Sequence, residues 1–151
     1  MYTVYLGKPM SGHLYEWVKE YLLPKSDALK KAGCRVIHPL TGKPYFKADE
    51  VFKKSGYTQF PPSTDHAICN KDYWGVSISD IVLMDLSGVD KISIGCVSEM
   101  AWAYALRKII VLVMEPGNIH EHAMINHEQS IRYHTIEEAM DYLLKLVKTE
   151  I

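Results

Sequence analysis

Two hydrophobic periods alternate along this chain. Thr3 to Leu6 is a short β-rich run that breaks at GKPMSG, and from Leu14 to Ala32 the positions Leu14, Trp17, Val18, Tyr21, Leu22 and Leu29 follow helical spacing. Pro24 falls inside that pattern, which predicts a kink or a restart there, and Gly33 is placed as the C-terminal cap. Arg35 to His38 reads as a second strand. Ser63 or Thr64 can cap a helix from Asp65 to about Val76, and Asp80 to Asp85 is an apolar run of the buried parallel-strand type. After the loop LSGVDKISIG, Glu99 to Leu106 reads as an Ala-rich helix and Ile109 to Val113 as another buried strand. Ile136 to Val147 closes the chain as a helix with Ala139, Leu143, Leu144 and Val147 on one face. Residues 39–64 mix Pro, Gly, Lys and aromatics without a period, and a loop of that length is expected to act as a lid over a site.

Strands alternating with helices predict a parallel sheet, and such sheets bind ligands past the carboxyl ends of their strands at a topological switch point. GKPMSG and DLSGVDKISIG are therefore expected to share one crevice. The length, 151 residues, suits a single domain over 1–151 that buries a core without staples.

Charge and cysteine content narrow the partners. Seventeen basic against eighteen acidic side chains give a net charge of -1, which provides no footprint for a nucleic-acid polymer or a membrane surface. A small-molecule ligand is expected instead. Cys34, Cys69 and Cys96 are an odd set without CxxC spacing, which fits reduced, buried thiols in a cytoplasmic protein. The start, MYTVYLGKPMSG, lacks the basic region of a signal peptide and the length of a membrane span, and reads as the first strand.

Two carboxylates stand out against this background. Glu99 is expected near the first turn of the helix after strand three, where the helix N-terminus favours an ionised carboxylate, and Asp72 lies on the preceding helix in CNKDYWG. A pair converging on a pocket is what glycosidic-bond cleavage requires, one as nucleophile and one as acid to the leaving group. A capping Glu99 and a solvated Asp72 are the alternative, and Tyr5 on its own can be simply a strand aromatic.

The ordered set VYLGKPMSG, then Asp72 followed by SDIVLMDLS, then SIGCVSEMAWAYALRK, resembles the nucleoside 2-deoxyribosyltransferase family and the related 2'-deoxynucleoside 5'-monophosphate N-glycosidases. The resemblance covers most of the chain, although residues 40–64 match nothing in it. It implies a Rossmann/flavodoxin-like three-layer α/β sandwich with a parallel, roughly five-stranded sheet. It further implies that Glu99 attacks the anomeric carbon, that Tyr5 holds Glu99, and that Asp72 serves the base and its protonation. No cofactor and no metal belongs to that chemistry.

In the transferases, the resemblance implies a carboxylate six residues before the catalytic Glu that receives the sugar 5'-hydroxyl, whereas this chain has Ser93 there, as the monophosphate glycosidases do. Ser93, with the Gly95 amide at a helix N-terminus, is expected to contact a 5'-phosphate, and Ser11, Gly12 and Lys8 are further candidates. Asp85 and Asp90 lie in the same loop and can instead take the hydroxyl-binding role, which would restore the transferase reading. EPGNIHEHAMINHE resembles the family stretch that reaches a neighbouring subunit, with His122 near a phosphate-binding position, so a homodimer or larger assembly is expected. A zinc site at His120, His122 and His127 lacks a defining spacing and a fourth ligand. Trp17, Pro39, Tyr45, Phe46 and Phe60 are candidates to stack on a base. An NAD-processing enzyme and a non-catalytic nucleotide-binding module would use the same crevice.

Overall fold

The computed structural model describes residues 1–149. Five strands, β1 (Thr3–Gly7), β2 (Arg35–Ile37), β3 (Ile81–Asp85), β4 (Ile109–Val113) and β5 (Ile131–Tyr133), form one sheet in the order β2-β1-β3-β4-β5. Every pairing is parallel, with Tyr5 opposite Ile37 on one side and Val82 on the other. The helices are α1 (Tyr15–Lys31), α2 (Asp65–Ile78), α3 (Ile94–Ala105), α4 (Ala123–Glu128) and α5 (Ile136–Lys148).

Strand periodicity sorts the core into two layers, because successive side chains point to opposite faces. Val4, Leu6, Ile81, Leu83, Val111 and Val113 pack with Val18, Leu22 and Leu29 of α1 and Ala139 and Leu143 of α5. Tyr5, Val82, Met84, Ile110 and Leu112 face the other way, toward Val76 of α2 and Cys96, Met100 and Ala103 of α3. This is the three-layer α/β sandwich with a parallel five-stranded sheet that was expected. Strand β5, short and half-buried, carries no sequence signal of its own.

Local expectations are corrected in several places. Helix α1 runs through the exposed Pro24 without a restart, its buried stripe of Val18, Leu22, Ser26 and Leu29 continuing on both sides of it. Gly33 does follow the last turn at φ 89°, and the amides of Gly33 and Cys34 close onto the carbonyls of Lys30 and Leu29. Helix α3 starts at Ile94, earlier than expected, because the Ser93 hydroxyl caps it by accepting from the Cys96 amide at 3.3 Å. Gly95 therefore lies in the first helical turn, and Glu99 in the second. Cys69 is exposed, unlike Cys34 and Cys96, since α2 turns it away from the sheet.

The segment 39–64 is docked, and it carries its own aromatic core. Phe46, Phe52 and Tyr57 are buried, with Phe46 and Phe52 at 4.9 Å between ring centroids. Main-chain bonds join Gly12 to Phe52, Phe52 to His13 and Tyr15 to Glu50, tying the segment to the start of α1. Tyr45 stacks on Phe60 at 4.5 Å, so these rings and Phe46 are engaged with one another. Trp17 stays 39% exposed and stacks on His13.

Candidate active site

The chain leaves β1 for β2 on one side of the sheet and then crosses to β3 on the other, which makes the β1/β3 boundary the switch point. The loops that follow β1 and β3 meet there, as expected. Lys8 joins them, donating to the Ser87 carbonyl at 2.9 Å and lying 3.3 Å from the Asp85 carboxylate.

Tyr5 faces α2 and α3 because it alternates with Val4 and Leu6. Glu99 shares the inward stripe of α3 with Cys96, Met100 and Ala103, and Asp72 lies one turn before the inward Gly75 and Val76 of α2. The Tyr5 hydroxyl donates to Glu99 Oε1 at 2.9 Å. Two glycines permit this approach: a Cβ at Gly75 would lie 3.0 Å from the Tyr5 ring, and one at Gly7 would lie 3.2 Å from Glu99 Oε2. Glu99 Oε2 and Asp72 Oδ1 are both buried without a hydrogen-bond partner.

Glu99 does not sit in the ionising environment expected at a helix start. It is only 6% exposed, and burial, together with the charge of Asp72, pushes its pKa up to about 8. The Tyr5 hydrogen bond, Lys71 and Lys43 oppose that rise. Burial likewise raises Asp72, against Lys71 and Lys43. Lys71 Nζ is 3.6 Å from Asp72 Oδ1 and donates to the carbonyls of His38 and Pro39. Neither Lys43 nor Lys71 was singled out from the sequence. Lys71 directly precedes Asp72, but Lys43 lies in the segment without a readable period, where no signal marks it.

The remaining candidates separate by partner. Asp85 is buried and fully engaged, accepting from Tyr21 and from the Ser87 amide at 2.8 Å beside Lys8, so its oxygens are taken up in holding the crevice wall. Lys8 is committed to the same knot. Ser11 and Gly12 are exposed in the turn after β1, and the Gly12 amide is spent on Phe52. Ser93 retains its hydroxyl proton while capping α3, and its own amide donates to His120 Nε2 at 2.9 Å. His120 is buried, with Nδ1 against Asn118 Oδ1, whereas His122 is exposed and caps α4 by accepting from the Met124 amide. The link from this segment to Ser93 thus runs through His120 within the same chain. His127 pairs with the Tyr104 hydroxyl. Among the described residues no three His, Cys, Asp or Glu side chains group as a metal site. A surface depression of about 400 Å³ between β5 and α5, lined by Arg132, Tyr133, Asp141 and Lys145, lies apart from the Tyr5–Glu99 pair.

Fold and site together define an open parallel α/β protein with a buried glutamate, a half-buried aspartate and a tyrosine at its switch point. A model of the nucleoside 2-deoxyribosyltransferase family matches residues 4–134, and the chain belongs to that family. Among solved structures, it is similar to the 2-desoxiribosyltransferase from Leishmania mexicana (17% identity over 96% of this chain and 98% of that one, TM-score 0.66). It is also similar to the 2-deoxyribosyltransferase of Bacillus psychrosaccharolyticus (15% identity, 98% and 97% covered, TM-score 0.65). A third similar structure is the CMP N-glycosidase of Clostridium botulinum (16% identity, 93% and 96% covered, TM-score 0.58). At these identities the likeness is one of fold. No curated protein matches the chain. No helix among the described residues is long and apolar enough to cross a membrane.

Proposed function

We propose that this protein cleaves the N-glycosidic bond of 2'-deoxynucleoside 5'-monophosphates through a glycosyl-Glu99 intermediate and releases the free base. The family's chemistry is glycosyl transfer or N-glycosidic cleavage. The observation that carries the reading is the Tyr5–Glu99 bond, which orients one carboxylate oxygen and leaves the other unpartnered beside Gly7, next to Asp72. In the first step Glu99 Oε2 forms a bond to the anomeric carbon as the carbon–nitrogen bond breaks, and Asp72 gives the departing base its proton. Water then displaces Glu99 from the sugar, passing its proton to Asp72.

Ser93 supports the phosphorylated substrate. A hydroxyl that caps a helix through its oxygen still has a proton to donate, and the Ile94 and Gly95 amides at the start of a 12-residue helix favour an anion. Asp85 is held by Lys8, Tyr21 and Ser87, which supports Ser93 over Asp85 as the group that meets the 5' end, while the exposed Asp90 keeps the transferase alternative for the assay to decide.

Deoxynucleosides and their 5'-monophosphates, with NAD as a further substrate, are to be assayed for free base with and without an acceptor base. Monophosphates should exceed nucleosides by about 10² or more in kcat/KM, since each charge-assisted bond contributes roughly 1.5–3 kcal/mol. Ser93→Asp keeps a good helix cap and should reverse that order. Base exchange on free nucleosides exceeding hydrolysis would make the protein a transferase, and nicotinamide release would make it an NAD-processing enzyme.

A further inference from the structure

The segment between β2 and α2, which shows no readable period in the sequence, delivers an unexpected cation to the site. Lys43 is only 5% exposed, and no hydrogen bond or ion pair among the described residues engages its ammonium, which is not one of the fully buried unpartnered atoms and so keeps contact with solvent. Its position is built. The Lys43 amide closes a turn onto the Leu40 carbonyl, Gly42 beside it takes φ 76°, and Lys71 holds the same turn by its His38 and Pro39 carbonyls. Lys71 in turn touches Asp72, so the turn is fixed against the helix that carries the leaving-group acid. The charge of Lys43 acts on both Asp72 and Glu99.

An ammonium on a largely buried side chain that reaches solvent without a protein acceptor keeps its donors free for a ligand. Glu99 is already bonded by Tyr5, and Lys71 attends Asp72, so neither carboxylate needs Lys43 as its sole partner. Beyond the proton that Asp72 supplies, what the site otherwise lacks is a donor for a carbonyl oxygen of the base. As the glycosidic bond breaks, its electron pair moves to the base nitrogen. In a pyrimidine it spreads onto the carbonyl oxygen next to that nitrogen, and a cation held there stabilises charge that develops only in the transition state. Adenine has no carbonyl oxygen, and its departure depends on protonation of a ring nitrogen instead.

We infer that Lys43 is the base-reading residue of this site, donating to the carbonyl oxygen beside the glycosidic nitrogen, and that it selects pyrimidine over adenine substrates. The inference rests on the proposed cleavage reaction. In the balanced step, Glu99 gains the bond to carbon, the base nitrogen takes the pair, Lys43 hydrogen-bonds the carbonyl, and Asp72 supplies the neutralising proton.

The test compares Lys43→Met, which keeps the volume, with Lys43→Arg, which keeps a cationic donor, on the monophosphates of deoxyuridine, deoxycytidine and deoxyadenosine. Lys43→Met should lose about 10² in kcat/KM on both pyrimidines and less than about threefold on deoxyadenosine monophosphate, and Lys43→Arg should recover most of the loss. Equal losses on all three would show that Lys43 acts only through the charge of Glu99, and unchanged rates would show that it does nothing; either overturns the inference. Should Lys43→Met fail to fold, Lys43→Leu, which likewise has no donor, carries the same comparison. Binding of free uracil, cytosine and adenine by calorimetry separates this inference from the reaction. If no substrate is cleaved, loss of uracil and cytosine binding alone in Lys43→Met still supports Lys43, and parallel binding of all three bases refutes it.

Discussion

Glu99 concentrates the chemistry in one side chain, and its burial makes that role sensitive to pH. A carboxyl at about 8 in the folded chain, against about 4.3 when unfolded, binds its proton more tightly folded than unfolded. Stability from this group is therefore full at low pH and is lost as pH rises to about 8. Glu99→Gln removes the dependence, so urea unfolding at pH 5, 7 and 9 should show the variant gaining on the unmodified protein as pH increases. A constant gap would contradict this environment. The same substitution should lower base release by about 10² or more while binding persists. In the unmodified protein, kcat/KM should rise with pH through about 8 as the nucleophile ionises. Asp72→Asn belongs to the same scale: the amide has no proton to give, so natural substrates should lose rate while an analogue whose leaving group needs no proton is spared. Equal losses on both would remove Asp72 from the acid role.

At the scale of elements, the site depends on how closely α2 approaches the sheet. Gly75 is the contact, because its missing side chain leaves room for the Tyr5 ring, and a Cβ there would also lie 3.2 Å from Ile37 Cγ2. Alanine in a helix interior gains about 1 kcal/mol over glycine, but here it must push a rigid ring. Gly75→Ala should accordingly change stability little, the two effects opposing. Its kcat/KM should fall at least about tenfold through misplacement of the Tyr5–Glu99 bond. Measuring both by thermal melts and initial rates distinguishes this from unfolding, and an active Gly75→Ala would show that Tyr5 placement is not limiting. The 39–64 segment acts at this scale too, since its aromatic core holds rigid the turn that carries Lys43.

For the whole molecule, part of the apolar surface left outside the core lies on the helices around the site. Tyr73 and Trp74 of α2, Ile94 and Tyr104 of α3 and Met124 of α4 are all 44% exposed or more. Tyr73 meets Trp102 edge-on, joining α2 to α3. From the segment expected to form an interface edge, Ile125 turns into the core while Met124 stays out. Such a surface fits a homodimer or larger assembly. Light scattering should report one, and Trp74→Glu should shift it toward monomer; a monomer fully active at nanomolar concentration would refute the expectation.

What the amino-acid order alone determined is whatever depends on local period and on short motifs. The buried strands Ile81–Asp85 and Ile109–Val113, the cap residues Thr64 and Gly33, and the pairing of Tyr5 with Glu99 were legible because apolar runs, turn chemistry and family motifs are local signals. Asp85 was equally visible as a carboxylate, but whether it was free could be decided only by Tyr21, Lys8 and Ser87, which approach it from three different segments. His120 rather than His122 reaches Ser93 for the same reason: two histidines two residues apart look alike in sequence, and the direction of the chain between β4 and α4 sorts them. Lys43 is the clearest case. No period or motif marks it, and only the packing of a distant aromatic segment onto α1 and α2 places its charge beside two carboxylates, because desolvation and Coulomb energy depend on distance in space and not on separation along the chain.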